Sequence, residues 1–261
     1  MFINVIVDLF FTLLYKLVHI TYAIIVFLKR WLLSWQRKVN LTGDLDSLKF
    51  NLIKLPHHIV FVVNFNDNLL TINDVASLVT WSIKLGINNI SLYDSEGFLI
   101  SYLSDLENHI SQQLNSNYPL KFRGDQQNGS TRHNIIFHCD YSSSKVRVLS
   151  LLDSKAIMAM VLKEMIKHDS DRRKLEDTNG DDNCDTQISP EKVDQLLFSK
   201  LHLPDPDLAI LCGPTPCLFG LLPWHIRLTE FIHLPIFGKL IQQDFISVIS
   251  RYTKCEQRFG K

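Results

Sequence analysis

The 261-residue sequence lacks the loops by which most cofactor-dependent enzymes announce themselves. It has only ten glycines, and none falls in a Walker loop, a G-x-G-x-x-G fingerprint or a G-x-S-x-G elbow, so the common nucleotide and hydrolase sites find no support. Five cysteines, at 139, 184, 212, 217 and 255, form no C-x-x-C pair. Their odd number argues against a closed disulfide framework, and they read as ordinary thiols of a reducing compartment. No charge of either sign is in excess, with 27 Lys+Arg against 27 Asp+Glu, which excludes a generically basic nucleic-acid binder. A hydrophobic share of 46% excludes wholesale disorder.

The zero net charge is a sum of unlike parts. Residues 1–42 carry five bases and one acid, whereas residues 168–190 carry three bases and seven acids. The first of these segments is apolar: 22 of the first 28 residues are aliphatic or aromatic, and from Leu9 to Leu28 the one formal charge is Lys16. Twenty helical residues reach about 30 Å, the thickness of a hydrocarbon core. Lys29, Arg30, Arg37 and Lys38 follow, with Trp31 and Trp35 at interface level, and no Lys or Arg precedes the run. The pattern is that of a transmembrane helix with a cytosolic C-terminal body rather than a signal peptide. A helix lying in the membrane plane is the alternative, since Lys16 would sit mid-bilayer. Sequons at Asn40, Asn89 and Asn128 read as chance matches, Asn89 heading a strand-like run that a glycan would obstruct.

The body alternates strand and helix patterns. His58–Asn64 is a β-branched apolar run typical of a strand buried on both faces. Thr71 and Asp74 form a capping box ahead of a helix that ends at Gly86. Ile90–Tyr93, Asn134–Cys139, Val146–Ser150 and Leu208–Cys212 read as strands. Helices are expected over 98–114, from Asp153 to about Lys167, from Ser189-Pro190 onward, and over 240–252, with a polar loop at Lys121–Arg132. The sum is an α/β domain with a mainly parallel sheet flanked by helices. Residues 168–190 read as an acidic, flexible insertion; an EF-hand fails there, because Asp182 and Ile188 stand where Gly and Glu are needed. The resulting organisation is an anchor with basic flank over 1–38, a linker over 39–54 and a body over 55–261.

Metal chemistry is weakly represented. His57, His58, His133, His138 and Cys139 border strands, and alternation sends His138 and Cys139 to opposite faces, so these histidines read as structural or surface groups. The dense stretches lie late in the chain: Pro206-Asp207-Leu208, Leu222-Pro223-Trp224-His225-Ile226-Arg227-Leu228-Thr229-Glu230, and Cys255-Glu256-Gln257-Arg258-Phe259-Gly260-Lys261.

These stretches, with Gly86-Ile87, Ser91-Leu92-Tyr93-Asp94 and Val148-Leu149-Ser150, resemble the Nogo-B receptor family, the accessory subunits of eukaryotic dehydrodolichyl diphosphate synthase. More distantly the chain is similar to the cis-prenyltransferase (undecaprenyl diphosphate synthase) family. The resemblance implies an endoplasmic reticulum membrane protein that pairs with a catalytic cis-prenyltransferase subunit. That pair would extend farnesyl diphosphate with isopentenyl diphosphate in a magnesium-dependent reaction toward dolichol and protein glycosylation. Catalytic members carry Asp-Gly-Asn after the first strand, and here Asn64 and Phe65 stand at the Asp and Gly positions; Leu211 replaces a phosphate-binding arginine. A degenerate, metal-free pocket, inactive alone, is therefore implied. Arg258 and Gly260 match an R-x-G element that completes the partner's isopentenyl diphosphate site, with Gln257 and Phe259 positioning it and Glu230 expected in a structural role. The resemblance leaves one alternative open, a non-enzymatic membrane receptor or scaffold with Nogo-B-type ligand binding.

Overall fold

In the computed structural model the described residues are 10–22, 24, 25, 28, 54–65, 69–114, 122–124, 135–138, 143–176, 189–236 and 239–256, with backbone alone at 122–124, 135–138, 168, 169 and 171–176. The chain divides into two units, Met1–Gly43 and Asp44–Lys261.

In the first unit, residues 10–22 are helical and their apolar side chains are exposed, Phe10, Tyr15 and Tyr22 among them. Tyr15 and His19, one turn apart, meet edge to face at 4.3 Å. Among the described residues no helix is long and apolar enough to cross a membrane. The expected span over 9–28 runs beyond residues 10–22 into positions outside the described residues.

The second unit is a seven-stranded sheet. Its strands are β1 (His58–Val63), β2 (Asn89–Asp94), β3 (Phe122–Gly124), β4 (Ile135–His138), β5 (Lys145–Ser150), β6 (Leu208–Cys212) and β7 (Glu230–Leu234), in the spatial order β3-β4-β5-β2-β1-β6-β7. The five strands β5, β2, β1, β6 and β7 are parallel, while β3 and β4 join antiparallel at one edge. The α/β architecture with a mainly parallel sheet is thus present.

Alternation along β1 sorts its side chains between two cores. Ile59, Phe61 and Val63 face a core completed by helix α1 (Ile72–Leu85), helix α3 (Leu103–Leu114) and helix α6 (Gln242–Thr253). Val60 and Val62 face a second core with helix α4 (Lys155–Glu176), helix α5 (Pro190–Leu201) and the buried Leu221 and Leu222 of the β6–β7 connection. Both faces are covered, which is why β1 reads as a continuous apolar run. The capping box is present at α1: the Asp74 amide donates to Thr71 Oγ1 at 3.2 Å and the Thr71 amide to Asp74 Oδ2 at 3.1 Å. Gly86 closes that helix in the left-handed region at φ 87°. Ser189 caps α5 with Pro190 in its first turn, as its sequence predicts.

Three expectations are corrected. The helix over 98–114 is broken at Tyr102 into α2 (Phe98–Ser101) and α3. The polar loop at 121–132 begins with strand β3. Helix α4 continues to Glu176 rather than ending near Lys167, so the supposed flexible insertion starts as helix. Arg172, Arg173, Lys174 and Leu175 are good helix formers and Gly180 is the first breaker after them, whereas the acidic composition that suggested a loop begins at Glu176. Residues 177–188 lie outside the described residues.

Candidate functional site

In open parallel sheets ligands bind beyond the carboxyl ends of the strands, at the point where strand order reverses. Chain order runs from β1 to β2 on one side and resumes with β6 on the other, so that point lies between β1 and β6. Asn64 and Phe65 leave β1 there, and Gly213 leaves β6. The degenerate positions expected from the sequence therefore fall at the mouth of this crevice, with Leu211 just inside β6.

Their surroundings leave little of a diphosphate site. The Phe65 ring lies 4.7 Å from that of Phe98, which stacks at 4.4 Å on Tyr102, so three aromatic rings form a ladder beside the carboxyl end of β1. Asn64 is partly exposed and has an interaction partner. Leu211 belongs to the second core with Val62, Ala209, Leu221 and Leu222, an apolar setting that gives a phosphate no donor. Gly213 adopts φ 136°. Both its backbone polar groups go to β7: its amide donates to the Leu234 carbonyl at 3.1 Å, and its carbonyl accepts from His233 Nε2 at 2.8 Å.

The carboxylates at this edge serve as caps. Asp94, buried at the end of β2, accepts from the Leu99 amide at 2.9 Å and the Glu96 amide at 3.0 Å, which sets the start of α2. Asp153, just after β5, accepts from the Ser150 amide at 2.8 Å and the Ser150 hydroxyl at 3.0 Å. Tyr93 Oη donates to the Phe219 carbonyl at 2.9 Å, and Ser154 Oγ donates to the Gly220 carbonyl. Burial raises the Tyr93 pKa and so favours the protonated, donating phenol. These two bonds pin the β6–β7 connection, whose Phe219 and Gly220 have positive φ, over the ends of β2 and β5.

Magnesium requires several oxygen ligands, at least one anionic. Asn64 is neutral, Phe65 is a hydrocarbon, and Asp94 and Asp153 hold backbone amides. Among the described residues no three His, Cys, Asp or Glu side chains gather as a metal site. This chain's own crevice does not fit the ion.

At the opposite, amino ends of the same strands lies a polar network that the sequence reading did not assemble. His58 is fully buried; its Nδ1 lies 2.8 Å from the Pro204 carbonyl and its Nε2 lies 2.8 Å from Ser91 Oγ. A carbonyl can only accept, so Nδ1 carries the proton and Nε2 accepts from the serine. That neutral form agrees with a pKa lowered to about 4, chiefly by burial. Asp207 Oδ2 accepts from the amides of His57 at 2.7 Å and His58 at 2.9 Å, tying the segment before β6 to the start of β1. Buried Arg147 donates to the His202 carbonyl at the end of α5 at 2.9 Å. The Pro206-Asp207-Leu208 motif is thus a structural fastening, and Thr229 Oγ1 adds a bond to the Pro206 carbonyl at 2.7 Å.

The Leu222–Glu230 run returns along the second face. Asp194 of α5 accepts from Trp224 Nε1 and, at 3.3 Å, from Arg227, whose guanidinium lies 5.2 Å above the Trp224 ring. His225 is buried and held toward its neutral form by desolvation, which also raises the Asp205 carboxyl. Glu230 opens β7, at the amino edge of the sheet and away from the crevice. Helix α6 ends at Thr253, and Arg258, Gly260 and their neighbours Gln257 and Phe259 lie outside the described residues. So do His133 and Cys139, whereas Cys212, Cys217 and Cys255 are free thiols.

No family model matches the chain. The dehydrodolichyl diphosphate synthase complex subunit NUS1 of Homo sapiens is 33% identical over 214 residues, covering 81% of this chain and 69% of the human protein. Its Mus musculus counterpart is 31% identical over 222 residues, covering 84% and 69% respectively. The fold is that of the cis-prenyltransferases: lavandulyl diphosphate synthase from Lavandula x intermedia, solved with dimethylallyl diphosphate, superposes with a TM-score of 0.50 at 15% identity, over 79% of this chain and 98% of that one. On the extent of the sequence match, this chain belongs to the family of the dehydrodolichyl diphosphate synthase complex subunit NUS1.

Proposed function

We propose that the chain is the accessory, non-catalytic half of a heteromeric dehydrodolichyl diphosphate synthase. One observation carries this reading: in a family named for that complex, this chain's own crevice at the β1–β6 reversal is occupied by the Phe65 ladder and spent hydrogen bonds. The catalytic cis-prenyltransferase partner would hold magnesium, farnesyl diphosphate and isopentenyl diphosphate, and this chain alone would be inactive. Its contribution is Arg258 and Gly260, reaching from beyond α6 into the partner's site. A guanidinium presents two parallel donors to phosphate oxygens, and a glycine amide approaches where a side chain would clash. Donors placed where diphosphate charge develops are what such a transfer needs from protein groups.

The hydrophobic segment over 9–28 would hold the complex at the endoplasmic reticulum membrane as a single span with the body in the cytosol. Prenyl chains destined for dolichol and protein glycosylation would be made there. The test is prenyl transfer by the co-purified complex carrying Arg258→Ala or lacking Gly260–Lys261. Lost turnover with an intact complex supports the reading. Wild-type turnover in either variant overturns the tail's role and leaves a receptor or scaffold as the better account.

A further inference from the structure

Helix α4 has two apolar sides, and the core uses one. Ile157 and Val161 are buried in the second core, with Met158 and Met165 packed at its margin. On the far side Leu162 and Ile166 are exposed, Ile166 to 61%, and Leu151 is exposed just before the helix. Leu151 and Lys155 are neighbours, since a Cβ placed on Gly220 would lie 3.7 Å from Leu151 Cδ1 and 3.0 Å from Lys155 Cε. At 100° per residue, Lys155 falls between Leu162 and Ile166 on the outer side, and Lys163 and Lys167 flank it. The acid of this stretch, Glu164, is taken by Lys200 of α5 at 2.8 Å.

We propose that this outer face of α4 is a lipid-docking surface that rests on an anionic bilayer. Composition chooses the occupant. Protein interfaces are depleted of lysine at their centres, whereas lysines interleaved with exposed Leu and Ile are the make-up of helices that lie at a membrane surface. There the stems pack on the acyl boundary while the ammonium groups reach lipid phosphates and carboxylates. The surface potential of anionic lipid adds an attraction of about a fivefold gain in association per lysine. The docking gains further from the proposed membrane anchor, on which it rests in one respect: a tethered body meets the bilayer at high effective concentration.

The full chain is incorporated into phosphatidylcholine vesicles with or without phosphatidylserine, with an environment-sensitive fluorescent amino acid at Leu162 or Ile166, and at exposed Gln112 of α3 as control. Flotation reports the anchor and fluorescence reports α4. The expected result is a blue shift, with quenching by lipid-borne quenchers, at 162 and 166 but not at 112, in phosphatidylserine vesicles. Each of Lys155→Glu, Lys163→Glu and Lys167→Glu should weaken it at least fivefold with unchanged far-UV circular dichroism. A chain that floats while 162 and 166 stay water-like overturns the proposal and spares the anchor; a chain that does not float overturns both. A shift that follows protein concentration rather than phosphatidylserine assigns the face to a second copy and equally overturns it.

Discussion

The two edges of one parallel sheet are built on opposite terms. At the amino edge His58, Ser91, Asp207 and Arg147 are polar and buried or capped, and their bonds run between strands and to the end of α5. At the carboxyl edge, where sheets of this kind bind ligands, an aromatic ladder and capping carboxylates take the space. The first edge is polar without being a site, and the second holds the place of a site without its chemistry. Polarity by itself therefore marks function poorly; what matters is whether a group's bonding capacity is still available to a ligand.

That contrast can be broken most forcefully at Asp207. Asp207→Ala removes a carboxylate that holds two backbone amides and should destabilise the second unit by about 3 kcal/mol. A lowered denaturant midpoint with unchanged slope would record it. His58 comes next. Its folded pKa of about 4 lies below the unfolded value of 6.5, so the unfolded chain binds the proton first. The resulting stability is complete above about pH 6.5 and is lost as pH falls toward 4, a loss of about 3 kcal/mol. Subtracting the pH profile of His58→Gln from that of the wild type should isolate this window, and parallel profiles would contradict the neutral, buried assignment.

Effects at the carboxyl edge should be smaller. Phe65→Ala is expected to cost about 1–2 kcal/mol, less than a fully buried phenylalanine, because its ladder partners Phe98 and Tyr102 are themselves about 40% exposed. The double change Asn64→Asp with Phe65→Gly should still give no magnesium-dependent binding of farnesyl diphosphate in calorimetry, since Gly213 and Asp94 remain engaged. Smallest of all is Asp194→Ala, about 1 kcal/mol or less. Its bonds to Trp224 and Arg227 lie at the surface, so a larger loss in thermal unfolding would mean that the Leu222–Glu230 run is held there rather than by Leu221 and Leu222.

The parts of the fold that announce themselves locally are legible. The apolar run of β1, the Thr71–Asp74 box, Gly86 and Ser189-Pro190 each fix an element by short-range chemistry, and all four stand where the sequence places them. β7 escapes notice because Glu230–Leu234 is partly exposed and becomes a strand through its pairing with β6. The amino-edge network is invisible for a different reason: Asp207 lies 149 residues from His58, and no spacing rule joins them. Asn64, Phe65 and Leu211 were legible through family resemblance alone, and the folded chain adds what surrounds them. Arg258 and Gly260 stand beyond the described residues, so their role rests on resemblance and on phosphate chemistry.

The division of labour between the two subunits is tested most directly by measuring prenyl transfer from isopentenyl diphosphate to farnesyl diphosphate with this chain alone, with its catalytic partner alone, and with both. The account predicts no turnover by this chain, little by the partner and full activity by the pair. Turnover by this chain alone would contradict it, because a working diphosphate site would then have to exist where Phe65, Leu211 and Gly213 stand.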